Sequence, residues 1–408
     1  MAGPDTLPKG GRGQRPRAPA PASAVAPREQ PYAPVAAAKV AELVDRLAGA
    51  DEGGFVLAWL ESVAREVTLH PLPPAIAVRL VRATREAGRL ERARALAEGL
   101  PALPRDWEPV DLARLRLERA TLANLEGRAV DAERERGLAS RDLAAVAPGT
   151  ALREHLDLHL LGAELRLRAN DLAGAARALR LAEQVAGQLE DGAFRVAISM
   201  SLGHLAMRLA DPAAAAAHYL EALARAPSRG SSAMRAHGNV AIAQSAAGLT
   251  AEARGHAEAA CALGRELGAG WRHADAYDVL ALVEIAADRP KQALAALDTA
   301  LTLLEGDDQP TLRYQLASHR TFALASAGRA ARARASLAVA ERLRADLKHV
   351  DAIDAQDLVA TRARTLEAAL APQAALDEGL PHAPVPPEAS VTGTSTLVLG
   401  RCALAVDP

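Results

Sequence analysis

From residue 36 onward, apolar side chains recur three and four positions apart, the period of a helix with one buried face. Val40, Leu43, Val44 and Leu47 form one stripe, and Phe55, Val56, Trp59, Leu60 and Val63 form a second. Beyond these the stripes come in pairs, each pair interrupted by a small or polar residue. The interruptions are Gly88, Gly127, Asn170, Ala210, Gly248, Asp288 and Gly328, at intervals of 39, 43, 40, 38, 40 and 40 residues. A period near 40 with a turn inside each unit predicts two helices per repeat.

Three further columns keep the same register. Five residues after each interruption stands an alanine: Ala93, Ala132, Ala175, Ala215, Ala253, Ala293 and Ala333. Seven residues before it stand Val81, Ala120, Ala163, Gly203, Ala241, Ala281 and Thr321, and twelve after it Leu100, Ala139, Ala182, Ala222, Ala260, Ala300 and Ala340. Small side chains at fixed phase mark places where helices cross closely. Gly or Asn at the interruption suits a helix end that needs a positive φ.

The fourth unit is the most complete: Leu202, Gly203, Ala215, Tyr219, Ala222 and Pro227 fall at the spacings of the tetratricopeptide consensus. On that register the segment 74–344 resembles tetratricopeptide repeats of the longer, roughly 40-residue kind, as in kinesin light chain, LGN-type adaptors and MalT-type regulatory arms. The consensus aromatic near the start of the first helix is replaced by residues such as Ser199 and His237. The resemblance implies an all-α, right-handed solenoid of about seven hairpins with capping helices at both ends. Residues 33–73 read as the N-terminal cap and 345–372 as the C-terminal one, because an open solenoid end exposes an apolar face.

Residues 1–32 are rich in Pro, Gly, Ala and Arg and nearly free of large apolar side chains, the composition of a disordered arm. Residues 373–408 lose the helical period and read as a mobile tail. Its run of Leu397, Val398, Leu399, Cys402, Leu404 and Val406 could dock as an extended peptide.

Composition narrows the chemistry. Aromatics are only 2% of the chain, so Ala, Leu and Val must build the interior, which suits helices rather than sheets. A net charge of -2 gives no global reason to expect nucleic acid or an anionic membrane as partner. Two cysteines, Cys261 and Cys402, cannot form a disulfide framework or a zinc cluster, so a reducing cytoplasm is expected. No apolar run approaches the roughly 20 residues of a membrane span, and the N-terminus lacks a signal-peptide core.

His155 and His159 stand four apart on one helix, as paired metal ligands do, but no third ligand is evident. They are expected to be ordinary surface or groove residues, and Cys261 a small packed side chain. No Ser-His-Asp set, paired-carboxylate pocket or dinucleotide fingerprint can be placed. No enzyme activity, cofactor or metal is therefore expected.

The resemblance further implies that the first helix of each hairpin lines a concave groove. The residues it places there are Arg79, Arg82 and Arg85, then Arg114 and Glu118, then Glu164 and Arg168. Met200, His204, Met207 and Arg208 follow in unit four, then Arg235 and Asn239, Asp275 and Asp278, and His319 and Phe322. Asn239 matches the consensus asparagine, which in related repeats bonds a bound peptide's backbone. The Lys and Asn set of chaperone-tail binders does not occur.

The function expected is a cytoplasmic adaptor that grips a segment of another protein in this groove. The alternative is a sensor arm that binds a peptide or small ligand and controls a separate effector. Arg79, Arg82, Arg85 and Arg114 suggest a basic end that admits an acidic partner segment, unless Glu86 and Glu118 offset them as a solvated face.

Overall fold

The computed structural model describes residues 74–347 apart from 87–88, 101–106, 148, 190–191, 269 and 306–308. Among the described residues there are fourteen helices and no strand, and successive helices pair into seven hairpins. These are α1 (Pro74–Glu86) with α2 (Leu90–Gly99), α3 (Pro109–Leu125) with α4 (Ala129–Ala144), and α5 (Leu152–Arg168) with α6 (Leu172–Ala186). Then come α7 (Gly192–Arg208) with α8 (Pro212–Arg225), α9 (Ser231–Ala246) with α10 (Thr250–Leu267), α11 (Gly270–Ala286) with α12 (Pro290–Leu303), and α13 (Pro310–Ser326) with α14 (Ala330–Asp346). The arm 1–32, the helices anticipated at 33–73 and the tail 373–408 lie outside the described residues, as does 345–372 apart from 345–347 at the end of α14.

The small-residue columns are where the helices meet. Every alanine of the first column, from Ala93 to Ala333, is wholly excluded from solvent. In the second column, Val81, Ala120, Ala163, Ala241, Ala281 and Thr321 are buried to within 1%. At Gly203 the approach is closest: a Cβ there would stand 2.3 Å from Tyr219 Cε1, so only glycine admits that ring. Between the columns Leu115, Leu156, Leu179, Leu297 and Leu316 fill the layers, each contributing about 2 kcal/mol by leaving water.

The turns follow one design. Gly127, Asn170, Ala210, Gly248, Asp288 and Gly328 all take positive φ, between 54° and 81°. The next residue's N–H bonds back to the carbonyl five residues earlier, as in Arg128 to Ala123 (2.7 Å), Asp211 to Ala206 (2.9 Å) and Arg329 to Leu324 (2.9 Å). This closure satisfies carbonyls that the ending helix leaves open. In the third and fourth hairpins the aspartate after the turn also caps the second helix, Asp171 accepting from Gly174 N (2.8 Å) and Asp211 from Ala214 N (2.9 Å).

The small rotation from each hairpin to the next accumulates until distant units touch. Arg272 Nη2 on α11 donates to the carbonyl of Glu86 at the end of α1 across 2.7 Å, joining the sixth hairpin to the first. The Arg272 guanidinium also lies over the Trp271 ring, 5.0 Å from its centroid.

Candidate functional site

The odd-numbered helices α1, α3, α5, α7 and α9 enclose a cavity of about 420 Å³ on the concave side. It gathers Arg82, Arg85, Glu164, His204 and Arg235 of the sequence-derived groove residues, with Glu118 and Met200. Asp157, Ser201 and Ser232 join them, three residues that the repeat register alone does not single out.

The basic end is neutralised within the protein. Arg85 Nε donates to Glu118 Oε2 at 2.8 Å, and Arg82 meets Glu86 at 3.0 Å and Asp157 at 3.6 Å. Enclosure by itself would lower both guanidinium values, but these carboxylates carry them above the ordinary arginine value. Arg114 is held by Glu154 (2.6 Å) and Asp111 (3.0 Å), which likewise overcome its loss of water. Enclosure raises the Asp157 carboxyl despite Arg82, with Glu118 and Glu154 adding to the effect.

Arg79 departs from its expected place in the groove. It is 8% exposed, and its guanidinium turns back to the carbonyl of Ala75 in its own helix (2.9 Å). Three adjacent-looking arginines therefore do not form a free basic face, because each has an acceptor from the protein.

The next stretch of groove is tied by polar bridges between hairpins. Asn124 Nδ2 donates to Glu164 Oε1 (2.8 Å), and Arg168 reaches both Glu164 (3.5 Å) and the Asn124 carbonyl (3.3 Å). Arg208 Nη2 donates to Asn170 Oδ1 (3.0 Å), fastening the fourth hairpin to the turn of the third.

The centre of the groove differs. Asn239 Nδ2 lies 3.2 Å from His204 Nε2, and the His204 ring meets the Tyr219 ring edge-on at 5.6 Å. Enclosure, with the charge of Arg235, pushes His204 down to about 4, although solvent reaches its ring. Asp275 rises to about 6 through enclosure and the neighbouring Asp278, against the pull of Arg235. Met200 and Met207 are mostly packed into the core beneath.

Farther on, the expected lining is taken into the interior. His319 Nδ1 and Asp278 Oδ1 pair at 2.8 Å, both buried, and link the sixth and seventh hairpins. Phe322 is 7% exposed, an apolar ring that gains by leaving water. These three residues and Arg79 correct the expectation that the whole set faces the groove.

A signal for the bridges does exist in the sequence. Arg114 with Glu154 and Asn124 with Glu164 are each separated by 40 residues, one repeat length. Complementary polar types at one phase of successive repeats are thus candidates for contact. Arg85 with Glu118 is 33 apart and escapes that rule.

His155 Nδ1 is engaged with the carbonyl of Ala151 (2.8 Å), and enclosure together with His155 lowers His159. Among the described residues no group of three or more His, Cys, Asp or Glu could hold a metal ion. Burial pushes the Cys261 thiol up to about 12, so it stays protonated and packed. Among the described residues no helix is long and apolar enough to cross a membrane.

No protein-family model matches this chain, and no curated protein sequence does. Among solved structures, the Rap protein complexed with competence and sporulation factor superposes with a TM-score of 0.57 at 14% identity, over 82% of this chain and 99% of that one. The signal-transduction ATPase with numerous domains and a tetratricopeptide repeat sensor from Pyrococcus horikoshii gives 0.44 at 14% identity, over 66% and 41%. Yeast Tom70 gives 0.31 at 11% identity, over 91% and 96%. At these identities the likeness concerns the fold.

Proposed function

From the premise that the chain is a tetratricopeptide-repeat solenoid, we propose that it is a non-catalytic scaffold holding a segment of a partner protein in its concave groove. One observation carries this reading: the central groove presents polar groups that the scaffold does not use, Ser201 and Arg235 among them, beside a cavity large enough for several side chains. Elsewhere on the concave face the ionic groups bridge hairpins. Groups that hold nothing in the scaffold are the ones a ligand can engage without first breaking the fold.

Photo-crosslinking tests this. A photoreactive residue at Ser201 or Ser232 should join a defined partner segment in native lysate, whereas one at exposed Val130 on α4 should not. Equal, unspecific labelling from all three positions would remove the groove as the binding surface.

A second reading, a sensor arm that controls a separate effector, draws support from the contact between Arg272 and Glu86. A superhelix closed by a contact between its first and sixth hairpins can change curvature when the groove fills, because occupancy need only favour one curvature over another. Small-angle scattering with and without the crosslinked partner distinguishes the two: a scaffold keeps its radius of gyration, a sensor arm changes it.

A further inference from the structure

The charges that face the cavity divide into those answered within the protein and one that is not. Glu118 answers Arg85, Asp157 and Glu86 answer Arg82, and Glu164 is held by Asn124 and Arg168. Arg235 is exposed and has no hydrogen bond or ion pair with any described residue. Asp275 on α11 interacts with it electrostatically, yet the two make no ion pair. Water solvates Arg235 while the groove is empty. An occupant that covers it removes that water and must supply an anion, or bear the cost of an unpaired charge. Covering the paired arginines carries no such demand.

The surface beside Arg235 is of a second kind. On the α5 and α7 side of Arg235, Leu160 and the small accessible edges of Leu167, Val196 and Met200 border the cavity. An occupant must therefore combine apolar side chains with one carboxylate. The concave face runs on past Arg235 to Asn239 and α11, so a bound chain is not obliged to stop there.

We propose that the groove selects an extended peptide with an internal Asp or Glu seated on Arg235 and apolar residues on its α5 and α7 side. This rests on the reading of the groove as a peptide site and adds the charge and register of its occupant.

The test uses the full chain and a pool of short synthetic peptides capped at both ends, with randomised apolar flanks and a central Asp or Glu, Asn or Gln, or Lys. Bound peptides are identified by mass spectrometry. Acidic centres should be enriched about tenfold over their amide counterparts, the scale of one charge-assisted contact. Arg235→Ala should abolish that preference, and Arg235→Glu should transfer it to Lys, both with unchanged helical dichroism. Binding without regard to the central charge, or an acidic preference that survives Arg235→Ala, overturns the proposal and leaves the peptide site standing. A folded wild-type chain that enriches no peptide overturns both. Enrichment confined to a parallel pool with free C-termini overturns the assignment to a side chain.

Discussion

The first three hairpins and the fourth and fifth line the same groove with different economies of polar groups. In the former, Arg85 with Glu118, Arg114 with Glu154 and Asn124 with Glu164 stitch each hairpin to the next. In the latter, Asn239 meets His204 across the hairpins without an ion pair, and Gly203 packs against Tyr219 inside the fourth hairpin. The difference shows why a groove rich in arginine need not be a basic site. Where ion pairs hold the scaffold they are committed, and where none forms, as at Arg235, the charge stays open to solvent.

The largest expected effect strikes the packed region. Gly203→Ala forces a methyl into the space of the Tyr219 ring, which is itself buried, and should cost about 3 kcal/mol of stability, the upper end of overpacking. Hydrogen exchange should show the loss concentrated in α7 and α8, since a solenoid unit couples mainly to its neighbours. An unaltered urea midpoint would show that the fourth hairpin does not depend on that contact.

Glu118→Gln strikes the stitched region. It leaves Arg85 only the longer contact with Glu86 (3.5 Å) and weakens the surroundings of Arg82, a loss of about 2 kcal/mol. Salt should narrow the gap between variant and wild type here, whereas the Gly203→Ala deficit should be indifferent to salt. A deficit that does not respond to ionic strength would erase the distinction between the two regions.

Asp275→Asn sharpens the comparison through pH. The Asp275 carboxyl in the folded chain stands at about 6, above its ordinary value near 4, so the folded state holds the extra proton between those values. Its contribution to stability therefore falls as pH rises from about 4 to 6 and remains unfavourable above that. Water in the groove screens much of the effect, so the Asn variant should gain about 1 kcal/mol at pH 7.5 and nothing at pH 3.5. Thermal melts at the two pH values measure this, and a gain that is equal at both would assign it to something other than ionisation.

The smallest effect lies at a turn. Ala210 takes φ of 58°, where an L side chain is strained, and Ala210→Gly relieves that strain while loosening the unfolded chain. The net gain should be about 0.5 kcal/mol by urea denaturation, and a loss of stability would mean that the methyl group has a packing role.

Much of the architecture is legible in the residues. Helical pairs, a 40-residue period, small-residue columns and turns at positive φ are local or nearest-neighbour properties, so a repeating pattern declares them. Even Asn170, Ala210 and Asp288, which lack glycine's freedom, adopt the turn that their phase predicts. Which arginines stay free is a property of another kind. Arg79 curls onto Ala75 in its own helix, Phe322 sinks inside, and Asp278 finds His319 in the next hairpin, because flexible side chains settle by the burial and the acceptors present once the helices have stacked.

The sequence by itself determined the repeat, its register and the residues at each helix crossing, because those depend on side-chain size at fixed spacing. Tertiary structure decided the charge of the groove and the meeting of Arg272 with Glu86, 186 residues away. Both depend on the small rotation added at each hairpin, which no single repeat encodes and which becomes visible only when it has accumulated over the whole solenoid.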